Sequence, residues 1–201
     1  AVGLYDDKKH LDPYTKLAVQ LTVAVIAAAF AQIRIEFFIQ NKIITTLLSA
    51  VWIALLINIF NFLDNMDGAS AGIAIITTAV MLTSAALAEQ IFVGAMAILL
   101  IGTLIGFLIF NFPPAKIFMG DAGSMVIGFL IALLTLKTTY YNQAYSGKWF
   151  AVFLPLIVMA VPLYDFLSVT ILRISQGKSP LIGDTQHFSH RLKRHGLTDR
   201  Q

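Results

Sequence analysis

Apolar runs long enough to cross a bilayer, each closed by a short polar stretch, constrain this chain more than any other feature of its sequence. They cover residues 17 to 39, 43 to 60, 70 to 88, 91 to 111, 124 to 138 and 149 to 173, and a helix needs roughly 20 apolar residues to cross the hydrocarbon core. Composition points the same way: 58% of the residues are hydrophobic and 12% charged, against about a quarter charged in a soluble domain. The expected fold is all-α, a polytopic transmembrane bundle of about six spans forming one domain over residues 1–201. Arg34 and Glu36 lie near the end of the first run, where long side chains snorkel to the interface. The fifth run is short, but its glycine and small residues suit close helix packing. Cysteine is absent, so any metal must be held by oxygen or imidazole. The chain opens on Ala1-Val2-Gly3-Leu4-Tyr5 and runs straight into charge without a signal sequence, and is expected to be part of a longer protein.

If all six runs cross, alternation puts the polar stretches 1–16, 61–69, 112–123 and 174–201 on one side of the membrane. Assigned by proximity, ten of the fourteen Lys and Arg residues fall on that side, Arg173 at the end of the sixth run among them, against four on the other, so this side is expected to be cytoplasmic. By the same assignment nine of the eleven acidic residues fall there too, counting Asp165 in the nearer half of the sixth run. Acids do not follow the positive-inside rule, so their bias asks for a chemical cause.

Four clusters supply candidates. The first is Asp6-Asp7 with Lys8, Lys9, Lys16 and Gln20 at the mouth of the first run: adjacent carboxylates can hold a hard cation or take a proton, and the lysines can bind phosphate. The alternative is a solvated loop. In the second, Asn58, Asn61, Asp64 and Asp67 recur every three positions at the end of an apolar run, which places them along one helical face if the helix continues. An Asx-rich turn explains one or two such residues, whereas four are expensive at membrane depth without a polar cavity. The third, Asn111-Phe-Pro-Pro-Ala-Lys-Ile-Phe118-Met-Gly120-Asp121-Ala-Gly123-Ser124, is a tight loop in which Asp121 offers an oxygen ligand. Asp121 or Ser124 is expected to cap the next helix, whose N-terminus favours phosphate. Phe118 is an interfacial anchor or a stacking platform. The tail holds His187, His190 and Arg191 among basic residues, a pattern suited to phosphate or to an anionic lipid surface. Asp165, inside the sixth run after Pro162, is left unassigned.

So many carboxylates on one face repel one another unless a cation compensates, and Mg²⁺, which favours carboxylate plus substrate phosphate, fits best. Lys, Arg and His would then neutralise a transferring phosphoryl group, with a soluble donor and a lipid acceptor meeting at the bilayer surface.

The stretches Gly-Leu-Tyr-Asp-Asp at 3–7, Asn-Phe-Leu-Asp-Asn-Met-Asp-Gly at 61–68, Phe-Met-Gly-Asp-Ala-Gly-Ser at 118–124 and His-Phe-Ser-His-Arg-Leu at 187–192 resemble, in sequence and order, the motifs of polyprenyl-phosphate N-acetylhexosamine-1-phosphate transferases. The resemblance covers nearly the whole chain. It implies transfer of a sugar 1-phosphate from a UDP-N-acetylhexosamine to undecaprenyl phosphate at the cytoplasmic face of a bacterial inner membrane, with release of UMP. It also implies a requirement for Mg²⁺, for which Mn²⁺ can substitute. Asp121 is then the metal ligand; Asp6, Asp7, Asp64, Asp67, His187 and His190 form the catalytic set; and Lys16, Asn58, Asn61, Asn111, Phe118 and Arg191 bind substrate. Membrane lipid is an implied partner, a homodimer is open, and nothing points to nucleic acid. Leu-Asp-Asn-Met-Asp-Gly and the spaced histidines look like the branch using smaller UDP-N-acetylhexosamines rather than the peptidoglycan branch. Family members have about ten spans, which again implies a partial chain. Competing classes are a transporter or channel with a polar cytoplasmic vestibule, which would carry polar residues near mid-span or on both sides, and an inactive scaffold.

Overall fold

A computed structural model describes residues 2–30, 39, 41–139 and 153–177. Among them there are only helices, turns and loops: α1 (Val2–Lys9), α2 (Pro13–Phe30), α3 (Lys42–Leu63), α4 (Ala69–Leu87), α5 (Ile91–Asn111), α6 (Gly120–Lys137), α7 (Leu154–Val158) and α8 (Ala160–Ser175). Helices α2 to α6 are each long and apolar enough to cross a membrane. Their outer faces carry large apolar side chains, such as Ile91, Phe92, Leu99 and Ile109 of α5, as a lipid-facing surface requires.

The helix ends follow local chemistry more closely than hydropathy does. The first span begins at Pro13, four residues before the apolar run, because the Asp12 carboxylate accepts from the Tyr14 and Thr15 N–H groups and proline suits the first helical position. Asn41 caps α3 in the same way through Ile43 and Ile44. The fifth span begins at Gly120 instead of 124 and reaches 18 residues. The sixth run is broken at Met159 into α7 and the 16-residue α8, with Pro155 and Pro162 each near the start of a helix. Among the described residues five helices are thus each long enough to cross alone, and the sixth run is represented by the broken pair α7–α8. The stretch 1–16, read as polar loop, contains α1.

Helix α3 is the hub, packed against α2, α6 and α8, while α4 and α5 form a hairpin beside it. It meets α6 at close range: a Cβ placed on Gly128 would fall 2.6 Å from the Leu56 carbonyl oxygen and 2.7 Å from Ile57 Cα. Small residues of this kind allow backbones to approach inside lipid, where no hydrophobic force drives helices together. A polar bond from Trp52 Nε1 to Thr135 Oγ1 at 2.9 Å ties the same pair.

The start of α2, the end of α3, the α3–α4 turn, the α5–α6 loop and the start of α6 gather at one end of the bundle, joined by the bonds described below. Cysteines placed at Lys116, on this end, and Glu89, in the opposite α4–α5 turn, are therefore expected to react with a membrane-impermeant thiol reagent from opposite faces. Labelling of both from one face would overturn the topology.

Candidate active site

The centre of the polar end is the ammonium of Lys16, in the first turn of α2. It forms an ion pair with Asp6 Oδ2 at 2.9 Å, a second with Asp121 Oδ2, and donates to Asn61 Oδ1 at 3.4 Å. Asn61 turns its amide nitrogen the other way, to Asp121 Oδ1 at 2.7 Å and Ser124 Oγ at 3.0 Å. Residues from α1, α2, α3 and α6, distant in sequence, thus close on one point. Its charges are paired, as partly buried charges must be.

Asp7 does a different task. Its carboxylate accepts from the backbone N–H of Asp121 at 2.8 Å and of Ala122 at 3.1 Å, so it caps α6 from another helix. This corrects the expectation that Asp121 or Ser124 caps α6: Ser124 Oγ instead donates to the Gly120 carbonyl, and the Asp121 side chain faces Lys16 and Asn61. The reason is steric. Gly120 has φ +63° and lies so close that a Cβ would come within 3.1 Å of both Asp7 oxygens, leaving room for a carboxylate from outside, where the helix dipole favours a negative charge. Gly3 gives α1 its seat: a Cβ there would fall 2.5 Å from the Asp121 carbonyl oxygen. The pattern Gly-x-x-Asp-Asp is therefore a packing contact and a carboxylate pair in one.

The three-residue spacing of the second cluster does not extend along one helix. Asn58 and Asn61 share a face of α3, but the helix ends at Leu63, Asp64 follows with φ −77° and ψ 37°, and Gly68 takes φ +73° to start α4. Asp67 Oδ2 accepts from Ala115 N at 2.9 Å. The buried Asn111 accepts from Gly68 N and donates to the Ile117 carbonyl, both at 2.9 Å. Asp67 and Asn111 thus pin the α3–α4 turn to the α5–α6 loop. Asn58 sits one turn deeper than Asn61, bonded to Gln20. Phe118, 78% exposed, stands open on the α5–α6 loop. His187, His190 and Arg191 lie outside the described residues.

Electrostatics separate the acids. Asp6 is held well below the usual carboxylate range by its hydrogen bond with the Asp121 side chain, then by Lys16 and the Leu11 N–H, against the opposing effect of burial. Burial pushes the Asp64 carboxyl up to about 7; the charges of Asp121 and Asp7 add to this, and a hydrogen bond from the Gly120 backbone opposes it. An ionised carboxylate and one that titrates near neutrality therefore stand at the same site, which is the kind of separation that proton-handling and cation-binding sites show.

No group of three or more His, Asp or Glu forms a ready-made metal cage among the described residues. The donor chemistry still fits a hard cation. The Lys16 ammonium is ringed by oxygens of Asp6, Asp121 and Asn61, and Mg²⁺ typically uses one or two carboxylates and fills its remaining positions with water and substrate phosphate.

A helical bundle, among the described residues, with several helices long enough to cross a membrane and an acidic, lysine-bearing site at one end defines a polytopic membrane protein. Residues 1–139 match the model of glycosyl transferase family 4, and the chain belongs to that family. Among curated proteins it is similar to the probable undecaprenyl-phosphate N-acetylglucosaminyl 1-phosphate transferase of Bacillus subtilis (strain 168), with 30% identity over 99% of this chain and 56% of that protein. It is 34% identical to the decaprenyl-phosphate N-acetylglucosaminephosphotransferase of Mycolicibacterium smegmatis, over 100% of this chain and 55% of that one. To the undecaprenyl-phosphate alpha-N-acetylglucosaminyl 1-phosphate transferase of Escherichia coli (strain K12) it is 27% identical, over 100% of this chain and 57% of the relative. The chain thus spans little more than half the length of these relatives.

The feature that sequence reading passed over is Gln20, named with the first cluster but given no task. Its signal was spacing: it lies four residues after Lys16, on the same face of α2.

Proposed function

We propose that the full-length protein transfers N-acetylhexosamine 1-phosphate from a UDP-sugar to a polyprenyl phosphate such as undecaprenyl phosphate. In that reaction an oxygen of the lipid phosphate attacks the β-phosphorus of the UDP-sugar. The bond from that phosphorus to the bridging oxygen breaks, and UMP leaves with the electron pair. The products are a lipid-linked pyrophosphoryl sugar and UMP. The observation that carries this reading is the convergence of Asp6, Lys16, Asn61 and Asp121 from four helices on one point at the bundle end. The names of the relatives support the same substrates.

In this reading residues 1–201 form one catalytic domain in a bacterial inner membrane, with the site on the cytoplasmic face indicated by the excess of Lys and Arg there. Lys16 binds a phosphate oxygen by charge, while Asn61 orients Asp121. Asp7, bound to the N-terminus of α6, keeps Asp6 and Asp121 at their mutual distance. Asp64, adjacent to Asp121, is suited to take or return a proton near neutral pH. Phe118 offers an exposed ring to the uracil base, and His187, His190 and Arg191 are assigned to the donor pyrophosphate. Mg²⁺ would be held by Asp121 with Asp6, and when bound it supplies neutralisation of the charge that develops on the transferring phosphoryl group.

The polar residues support an enzyme over a channel because they collect at one end instead of lining mid-span. The test is release of UMP from UDP-N-acetylglucosamine by full-length protein, expected only with both undecaprenyl phosphate and Mg²⁺ or Mn²⁺ present. Absence of lipid-dependent release with any UDP-N-acetylhexosamine would sink the proposal.

A further inference from the structure

Gln20 lies one turn beyond Lys16 on α2, and Asn58 one turn before Asn61 on α3. The two amides therefore meet about 5.4 Å, one helical turn, deeper in the bundle than the ionic cluster. There Asn58 Nδ2 donates to Gln20 Oε1 at 2.7 Å and to the Ala54 carbonyl of its own helix at 2.8 Å. Both hydrogens of Asn58 are thereby used, and the orientation of Gln20 is set: its oxygen faces α3 and its nitrogen is left over. Gln20 is 4% exposed, and its Nε2 has no hydrogen-bond partner. A buried donor without an acceptor is destabilising, most of all within the thickness of a bilayer. The packing of α2 on α3 does not require it, since an apolar side chain would fill the same space.

We propose that Gln20 is a binding residue for the phosphate of the lipid acceptor, donating through Nε2 to a phosphate oxygen that Lys16 holds from above. The inference rests on the transferase reading and extends it. Nε2 is donor-only, so its partner is an acceptor oxygen. Lys16, on the same stripe of α2, favours an anion there. Depth selects the substrate: a group one turn inside the helix ends lies closer to where a membrane-anchored acceptor sits than to the polar face from which a nucleotide sugar arrives.

The test uses full-length protein in lipid nanodiscs and compares wild type with Gln20→Glu and Gln20→Met. Gln20→Glu keeps the length of the side chain and the oxygen to which Asn58 donates but replaces the amide donor, and Gln20→Met removes all polarity at similar size. Binding is measured for undecaprenyl phosphate, for undecaprenol as the phosphate-free control, and for UDP-N-acetylglucosamine. Affinity for undecaprenyl phosphate is expected to fall about tenfold or more in both variants, the range for a lost hydrogen bond to a charged group. Undecaprenol and UDP-N-acetylglucosamine should bind as before, and KM should rise for the lipid alone. Unchanged affinity for undecaprenyl phosphate overturns the assignment, as does a loss confined to UDP-N-acetylglucosamine or an equal loss of undecaprenol. If wild type fails to distinguish undecaprenyl phosphate from undecaprenol, the transferase reading falls with it.

Discussion

Replacing Asp121 with Asn is expected to lower turnover by at least about a thousandfold, the upper range for losing one preorganised electrostatic contact, and to remove the dependence on divalent ions. Asn has the same shape and still offers Asn61 an oxygen, so the bundle should keep its melting temperature. What disappears is charge: Lys16 loses one of its two carboxylate partners, and a cation loses its proposed ligand. UMP release measured across a Mg²⁺ titration reads both effects at once. Activity within tenfold of wild type, with an unshifted Mg²⁺ curve, would refute the role given to Asp121.

The second large effect comes from a residue with no chemistry of its own. Gly3→Ala places a methyl 2.5 Å from the Asp121 carbonyl oxygen and 2.7 Å from Ala122 Cα, backbone atoms that cannot turn aside. Helix α1 must lift from α6, taking with it the cap that Asp7 provides and the carboxylate that Asp6 presents to Lys16. A displacement of about an ångström at a catalytic group can remove a hundredfold of activity, and a loss of that order is expected in kcat. The apolar core, drawn from α2 to α6 and Met159, does not include α1, so the thermal midpoint should move by only a few degrees. A fall in stability without a fall in kcat would show that α1 is only a structural element.

How much of this was legible in the sequence varies with the physics involved. Hydropathy located the four runs from 43 to 138 well, because lipid exposure leaves little freedom in composition, and alternation brought Asp6, Lys16, Asn61 and Asp121 to one end. Helix ends were less legible: Asp12-Pro13 and Gly120 start helices by local bonding that a hydrophobic window does not register. The three-residue spacing from Asn58 to Asp67 misled past Leu63, since Asp64 leaves the helical conformation and Gly68 turns the chain. Asp7 as the cap of α6 is a contact across 114 positions, and no local pattern contains it. Gln20 was visible as a spacing, but its unmet donor exists only once α3 is packed beside it.

The attachment of α1 carries a last consequence. This eight-residue helix is held at α6 by the close approach at Gly3, a carboxylate on a helix N-terminus and a lysine bridge, while the membrane helices are held mainly by close packing. Charge attraction weakens as the Debye length shrinks, from about 10 Å at 0.1 M salt to about 3 Å at 1 M, and packing between apolar helices does not. Ionic strength therefore acts first on the exposed Asp7 cap, and far less on the largely buried Lys16–Asp6 pair or on the apolar packing of the membrane helices.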